Sequence, residues 1–236
     1  MRERPLSAVP RWVAAALAVA FALQIGTAVL QPPPSARAED LDAAPSESLL
    51  RLAAVGEPIA LANLLMLYVQ AFDYQAGTHV PYRDLDYDRL IEWLSRILEL
   101  DPGGQYPLMS ASRLYADIPD AAKQRKMLDF VYDEYLKDPN RRWPWLAHTT
   151  ILAKHRLKDL PLARKYAVAL QQHTTTPDAP LWVRQMEPFI LEDMNELEAA
   201  KIMIGGMLAS GQVKDRRDYE LLERRLKQLE ERLKSK

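Results

Sequence analysis

Pro102, Pro139 and Pro177 recur at separations of 37 and 38 residues, and each closes an apolar pattern of helical spacing. The first two sit in Leu100-Asp101-Pro102 and Lys137-Asp138-Pro139. Shifting the sequence by 37 residues lays Tyr106-Pro107 under Trp143-Pro144, Leu108 under Trp145, Met109 under Leu146, Leu114 under Ile151 and Ala116 under Ala153. A period of this length marks helix pairs that bury their apolar faces only by stacking on the next pair. The spacing therefore predicts an all-α chain, a right-handed α-solenoid of stacked helix pairs. Its centre is Trp143 to Leu170, two amphipathic patterns separated by a turn at Lys158 and Asp159.

Composition agrees with that reading. A chain of 236 residues has room for one such domain and a tail. Most of its 17 prolines fall where helices begin or end, where the missing N–H costs little. There is no cysteine, so disulfides and thiolate metal sites are excluded together. The net charge of −1 argues against a nucleic-acid partner, which selects basic domains.

Within the repeat, residue sizes resemble the tetratricopeptide repeat, whose first helix reads W-x2-L-G-x2-Y and whose second reads A-x3-F with a closing proline. Leu108, Ala111, Ser112 and Tyr115 take the large, medium, small and aromatic positions of one unit, and Trp145 with Leu152 keeps the outer two in the next. His148 and Thr149 depart from the pattern. Second-helix counterparts are Leu90, Leu94 and Ile97; Met127 and Val131; Ala163, Ala167 and Leu170; and Ala200, Ile204 and Met207. The resemblance covers residues 46–210 and implies protein binding in place of chemistry. It places Met109, Arg113 and Asp117 of one unit, and Leu146, Thr150 and Lys154 of the next, on a groove that receives a segment of another protein.

The N-terminus reads as a targeting signal. Residues 12–30 carry no ionisable side chain, follow Arg2, Arg4 and Arg11, and are long enough to cross a bilayer as a helix. Two readings stand: an uncleaved signal anchor, which the length favours, and a signal peptide removed after Ala36-Arg37-Ala38. Both put residues 1–11 in the cytoplasm and the body in the periplasm of a bacterium under the positive-inside rule. Residues 31–45, with Pro32-Pro33-Pro34 and then small and acidic side chains, read as an extended linker that offers nothing to a core.

Along the body, residues 58–72 form an apolar helix expected to be buried between neighbours, followed by a loop from Tyr74 to Arg83. Asp84, Asp86 and Asp88 suit a helix start better than a calcium loop, because Arg89 stands where that loop needs glycine. Lys123, Arg125 and Lys126 read as a solvated face, as do Glu187, Glu192 and Asp193. Asn195 with Glu198 predicts a capping box, and Gly205-Gly206 a break where a neighbour comes close. Residues 211–236 hold a charged helix with Tyr219, Leu222, Leu226, Leu229 and Leu233 on one stripe. It serves as a polar cap or, alternatively, as a homodimer interface through residues 215–236.

Nucleophile elbows, phosphate-cradling glycine loops and paired metal ligands have no counterpart in the sequence, so neither an enzyme nor a cofactor is expected. The segment Arg141-Arg142-Trp143-Pro144-Trp145 combines the residue types that dominate interface energetics, and it adds Arg142 and Trp143 to the candidate protein-binding set. The expected role is a membrane-anchored periplasmic scaffold or adaptor in envelope assembly, with a self-associating structural subunit as the alternative and a tethered enzyme or regulatory subunit as a third.

Overall fold

The computed structural model describes residues 10–30, 39–75, 78–211 and 213–235. The chain is mostly helical, and among the described residues the strands are a pair of two-residue segments. Residues 39–73 and 80–236 form one compact unit; the first helix and the short hairpin fall outside it and are taken separately.

Helix α1 (Arg11–Leu30) carries apolar side chains around its whole circumference, none of them buried, and is long and apolar enough to span a membrane. The proposed cleavage site and the three prolines of the linker lie outside the described residues. The hairpin pairs β1 (Tyr74–Gln75) with β2 (Thr78–His79), bringing the rings of Tyr74 and His79 to 4.8 Å.

The compact unit begins sooner than the sequence suggests. Leu41 is fully buried, and the Asp42 carbonyl accepts the Trp93 indole N–H at 2.9 Å. The end of the expected linker is thus part of the core, because a single leucine and one carbonyl suffice to dock extended backbone. Then follow α2 (Glu47–Ala53), α3 (Pro58–Ala71), α4 (Tyr87–Leu100), α5 (Tyr106–Ser110), a π-turn (Ala111–Tyr115), α6 (Ala121–Lys137), α7 (Pro139–His155), α8 (Leu160–His173), α9 (Leu181–Arg184), α10 (Met186–Asp193), α11 (Leu197–Ala209) and α12 (Arg216–Lys234).

Local chemistry explains the boundaries. Asp86 accepts from the backbone N–H groups of Asp88 and Arg89, Asp120 from those of Ala122 and Lys123, and Asp159 from that of Leu162, each neutralising orphan donors at a helix start. Lys158 adopts a left-handed φ of 55° at the turn between α7 and α8. Asp138 alone joins α6 to α7, with Pro139 at the first turn of the second helix. Asn195 does not cap: it takes a left-handed φ of 63°, and Glu196 opens α11 without a side-chain hydrogen bond. Nor is α11 broken at Gly205-Gly206, where a side chain would meet open space.

Packing runs from neighbour to neighbour. Helix α4 packs on α2, α3, α5 and α6; the π-turn on α6 and α7; α7 on α5, α6 and α8; α8 on α9 and α10; α10 on α11; and α11 on α12. Side-chain hydrogen bonds between successive units repeat the sequence period. Lys126 reaches Asp88 across 38 residues, Tyr166 reaches Asp129 across 37, Tyr135 reaches Thr174 across 39, Asn140 reaches Thr175 across 35 and Trp145 reaches Gln105 across 40. Before Tyr74 the interval stretches, with Arg51 donating to the Glu99 carbonyl across 48 residues, because residues 74–84 are inserted between α3 and α4.

Two apolar clusters result. The larger extends from Leu41 to Ile190, with Leu90, Leu94, Leu108, Met127, Leu146, Tyr166 and Leu170 at its centre. The smaller joins Leu191, Leu197, Ala200 and Ile204 to Leu222 and Leu229 of α12. The stripe of α12 is therefore covered by its own chain.

Arg125, Lys126 and Asp193 face solvent as expected, yet several of these charged side chains also bridge separate parts of the chain. Lys123 donates to the carbonyls of Arg83 and Leu85, and Arg125 pairs with Asp129 and Asp159. Glu187 and Glu192 are buried: the first accepts from Arg164, the second from both Arg225 and Arg232. For both glutamates the counter-charge comes from another helix, α8 for Glu187 and α12 for Glu192, which the sequence of one helix alone does not show.

Candidate functional site

Six of the eight predicted contact residues lie on the π-turn and α7, with Met109 on α5 and Asp117 just past the turn, and the structure divides the eight sharply. Arg142 is buried; its guanidinium donates to a Glu134 carboxylate oxygen at 2.7 Å, the Glu134 carbonyl at 2.8 Å and the Pro102 carbonyl at 3.1 Å. Leu146 and Thr150 are fully buried, and the Thr150 hydroxyl donates to the Leu146 carbonyl at 2.8 Å. These three are removed from any surface a partner could touch. Met109, Trp143 and Lys154 are half-buried, and Arg113 and Asp117 are exposed.

The misplacement has a specific cause. The Ala116 N–H bonds to the Ala111 carbonyl five residues back, so the π-turn holds one residue more than the matching stretch of α7. Ahead of the turn, the buried positions Leu108, Ala111 and Ser112 correspond to Leu146, Thr149 and Thr150, 38 residues on; past it, Tyr115 and Ala116 correspond to Leu152 and Ala153, 37 on. A constant shift of 37 therefore rotates Leu146 and Thr150 onto the wrong face. With the extra residue counted, exposed Arg113 is matched by exposed Ile151.

What the elements build at this face is a cleft of about 360 Å³ lined by Arg113, Trp143, Pro144, Trp145, Ala147, His148, Ile151 and Trp182. The Trp143 and Trp182 rings meet edge to face at 6.4 Å, and Trp182 is 50% exposed. Trp145 is fixed from below, its indole N–H donating to Gln105 Oε1 at 2.7 Å. Arg113 forms no ion pair among the described residues, whereas Asp117 is paired with Arg156 at 2.9 Å and Lys154 with Asp193. Burial, and then the Arg113 charge, lowers the pKa of His148 below its ordinary 6.5, while Asp117 opposes the shift.

Two local rules are broken here. Pro144 sits inside α7 without an N–H to give, and the π-turn strays from helical register directly opposite. Departures of this sort concentrate at functional sites. Ala147, Ile151 and Trp182 are the lining residues sequence reasoning missed; Trp182 falls within the stretch 46–210, but nothing in its local pattern ties it to the face of α7. Among the described residues there is no cluster of potential metal ligands.

No family model, no curated protein and no solved structure matches the chain.

Proposed function

We propose that the chain is a membrane-tethered helical-repeat scaffold, similar in plan to tetratricopeptide proteins, that captures a segment of another protein in the cleft between the π-turn and α7. The observation that carries this reading is the cleft itself: three indoles around an open apolar hollow, with a guanidinium at its rim that makes no ion pair among the described residues. Aromatic side chains and arginine contribute most to interface affinity, and an apolar anchor seated among indoles with a carboxylate on Arg113 matches both ends of the site. Support for the solenoid comes from the hydrogen bonds that recur at the repeat interval and from packing confined to near neighbours in sequence. Helix α1 supplies the tether, and the arginines before it support a cytoplasmic N-terminus with the body in the periplasm. The covering of Leu222 and Leu229 favours a capping role for α12 over dimerisation.

A photo-crosslinking residue placed at Trp182 in the full chain tests the site. The expected result is one discrete adduct that Arg113→Glu and Trp143→Ala each diminish, with the helical circular dichroism retained. An adduct that survives both substitutions would show that the cleft is not the contact.

A further inference from the structure

The two ends of the helical body are finished in opposite ways. At the C-terminal end, α12 shows solvent a face of Arg, Lys and Glu. At the other end α3 presents Ile59, Leu64 and Leu67, each 57–62% exposed, with Tyr68, Ala60, Asn63 and Ala71 between them. From Pro58 to Phe72 no residue carries a charge. The sequence pattern suggested a helix buried all round; in fact only Ala62, Met66 and Val69 are buried, because α2 and α4 cover one side. Helix α2, meeting α3 at 111°, adds Leu49 and Leu52 to the exposed set, and the turn between the two helices adds Val55.

An uncharged apolar face of this extent on a terminal helix marks a surface that is covered in use. Its covalent neighbourhood says by what. Residues 31–46 alone separate α1 from α2, so any bilayer that α1 enters is presented to this face at the high effective concentration of a short tether. By length and composition α2 and α3 together are also apolar enough for a broken membrane segment. Tyrosine at the edge of an apolar face suits the headgroup boundary.

We infer that the exposed face of α2 and α3 lies against the lipid bilayer, as an interfacial membrane contact in addition to the spanning helix α1. A weak apolar contact of this kind does not hold a free domain, but joined to a spanning helix it fixes how the body is presented to its partners. The inference rests on the tether proposed above and says nothing of the cleft.

The absence of cysteine makes the test clean. Val19→Cys, Leu64→Cys, Leu67→Cys and Glu230→Cys are each labelled with an environment-sensitive fluorophore in the full chain, reconstituted in phosphatidylcholine–phosphatidylglycerol vesicles with and without brominated acyl chains. The expected result is a blue shift and loss of intensity at 19, 64 and 67 that the brominated lipid produces and 230 does not share. Quenching at 19 with water-like emission at 64 and 67 overturns this inference and leaves the tether intact. Water-like emission at 19 overturns both. A blue shift at 64 that brominated lipid leaves unquenched, or that deepens with protein density, assigns the face to a protein or a second copy and likewise overturns it.

Discussion

The indole N–H of Trp145 donates to the side-chain oxygen of Gln105 across 2.7 Å, tying α7 to the residue that opens α5 in the preceding unit. The bond holds one wall of the cleft to the framework, while Trp182 at the other is half exposed with its ring edge to face with Trp143. Beside it, Arg142 turns inward from the same helix turn and lies under the cleft as a clasp.

That clasp gives the first prediction. Glu134 and Arg142 are both buried, so Glu134→Ala strands a guanidinium away from water and lowers stability by about 3–5 kcal/mol. Replacing both together, Glu134→Leu with Arg142→Met, costs far less because no charge is left unpaired. Urea unfolding of the single and double variants checks the contrast.

Tyr135 donates to the Ala169 carbonyl at 3.0 Å, and its oxygen lies 2.9 Å from the hydroxyl of buried Thr174. Tyr135→Phe leaves two buried polar groups short of a partner and lowers stability by about 1–3 kcal/mol. Thr174→Val in the same background recovers part of the loss, since it removes one of the stranded groups. Thermal melts of the three proteins are the measurement.

His148 has a folded pKa below its ordinary 6.5, held there by burial and by Arg113. Below 6.5 the unfolded chain therefore takes up this proton first, so the contribution to stability is present above 6.5 and is lost as pH falls towards the folded value. His148→Gln flattens the pH dependence of stability in that window. Arg113→Gln, by removing a like charge, raises the histidine pKa, and its titration by NMR of the ring protons reports the shift directly.

Glu192 accepts from Arg225 at 2.7 Å and from Arg232 at 2.5 Å, fastening α12 over the small apolar cluster. Because both guanidinium groups are partly exposed, solvent screens the pairs, and Glu192→Ala loosens α12 by about 1 kcal/mol. Hydrogen exchange quickens in α11 and α12, while α4 to α8, in the larger cluster, keep their protection.

The sequence carried the helices well and their faces less well. The proline-closed period located α4 to α8, and the Lys158-Asp159 turn is where it was expected, because both rest on local backbone chemistry. The groove residues were misassigned because a π-turn is a tertiary adjustment with no fixed composition, and one added residue rotates everything upstream of it. Helix α3 misled for a related reason: apolar side chains around a full circumference describe either burial or an unpartnered face, and periodicity does not separate the two. Glu187 and Glu192 looked solvated because their arginines lie 23 to 40 residues away or before them in the chain. Trp182 gave no signal of its own, and the stretch that carries it forms two short helices, α9 and α10.

Asp138, the lone residue between α6 and α7, leaves that joint no slack. Neither helix turns without the other, so a load hung on Trp143 is shared at once by its neighbour Arg142, and through it by Glu134 and the Pro102 backbone in the unit before. The cleft is thus mounted on a rigid bracket, and a pull on either wall reaches the helices on both sides of the joint.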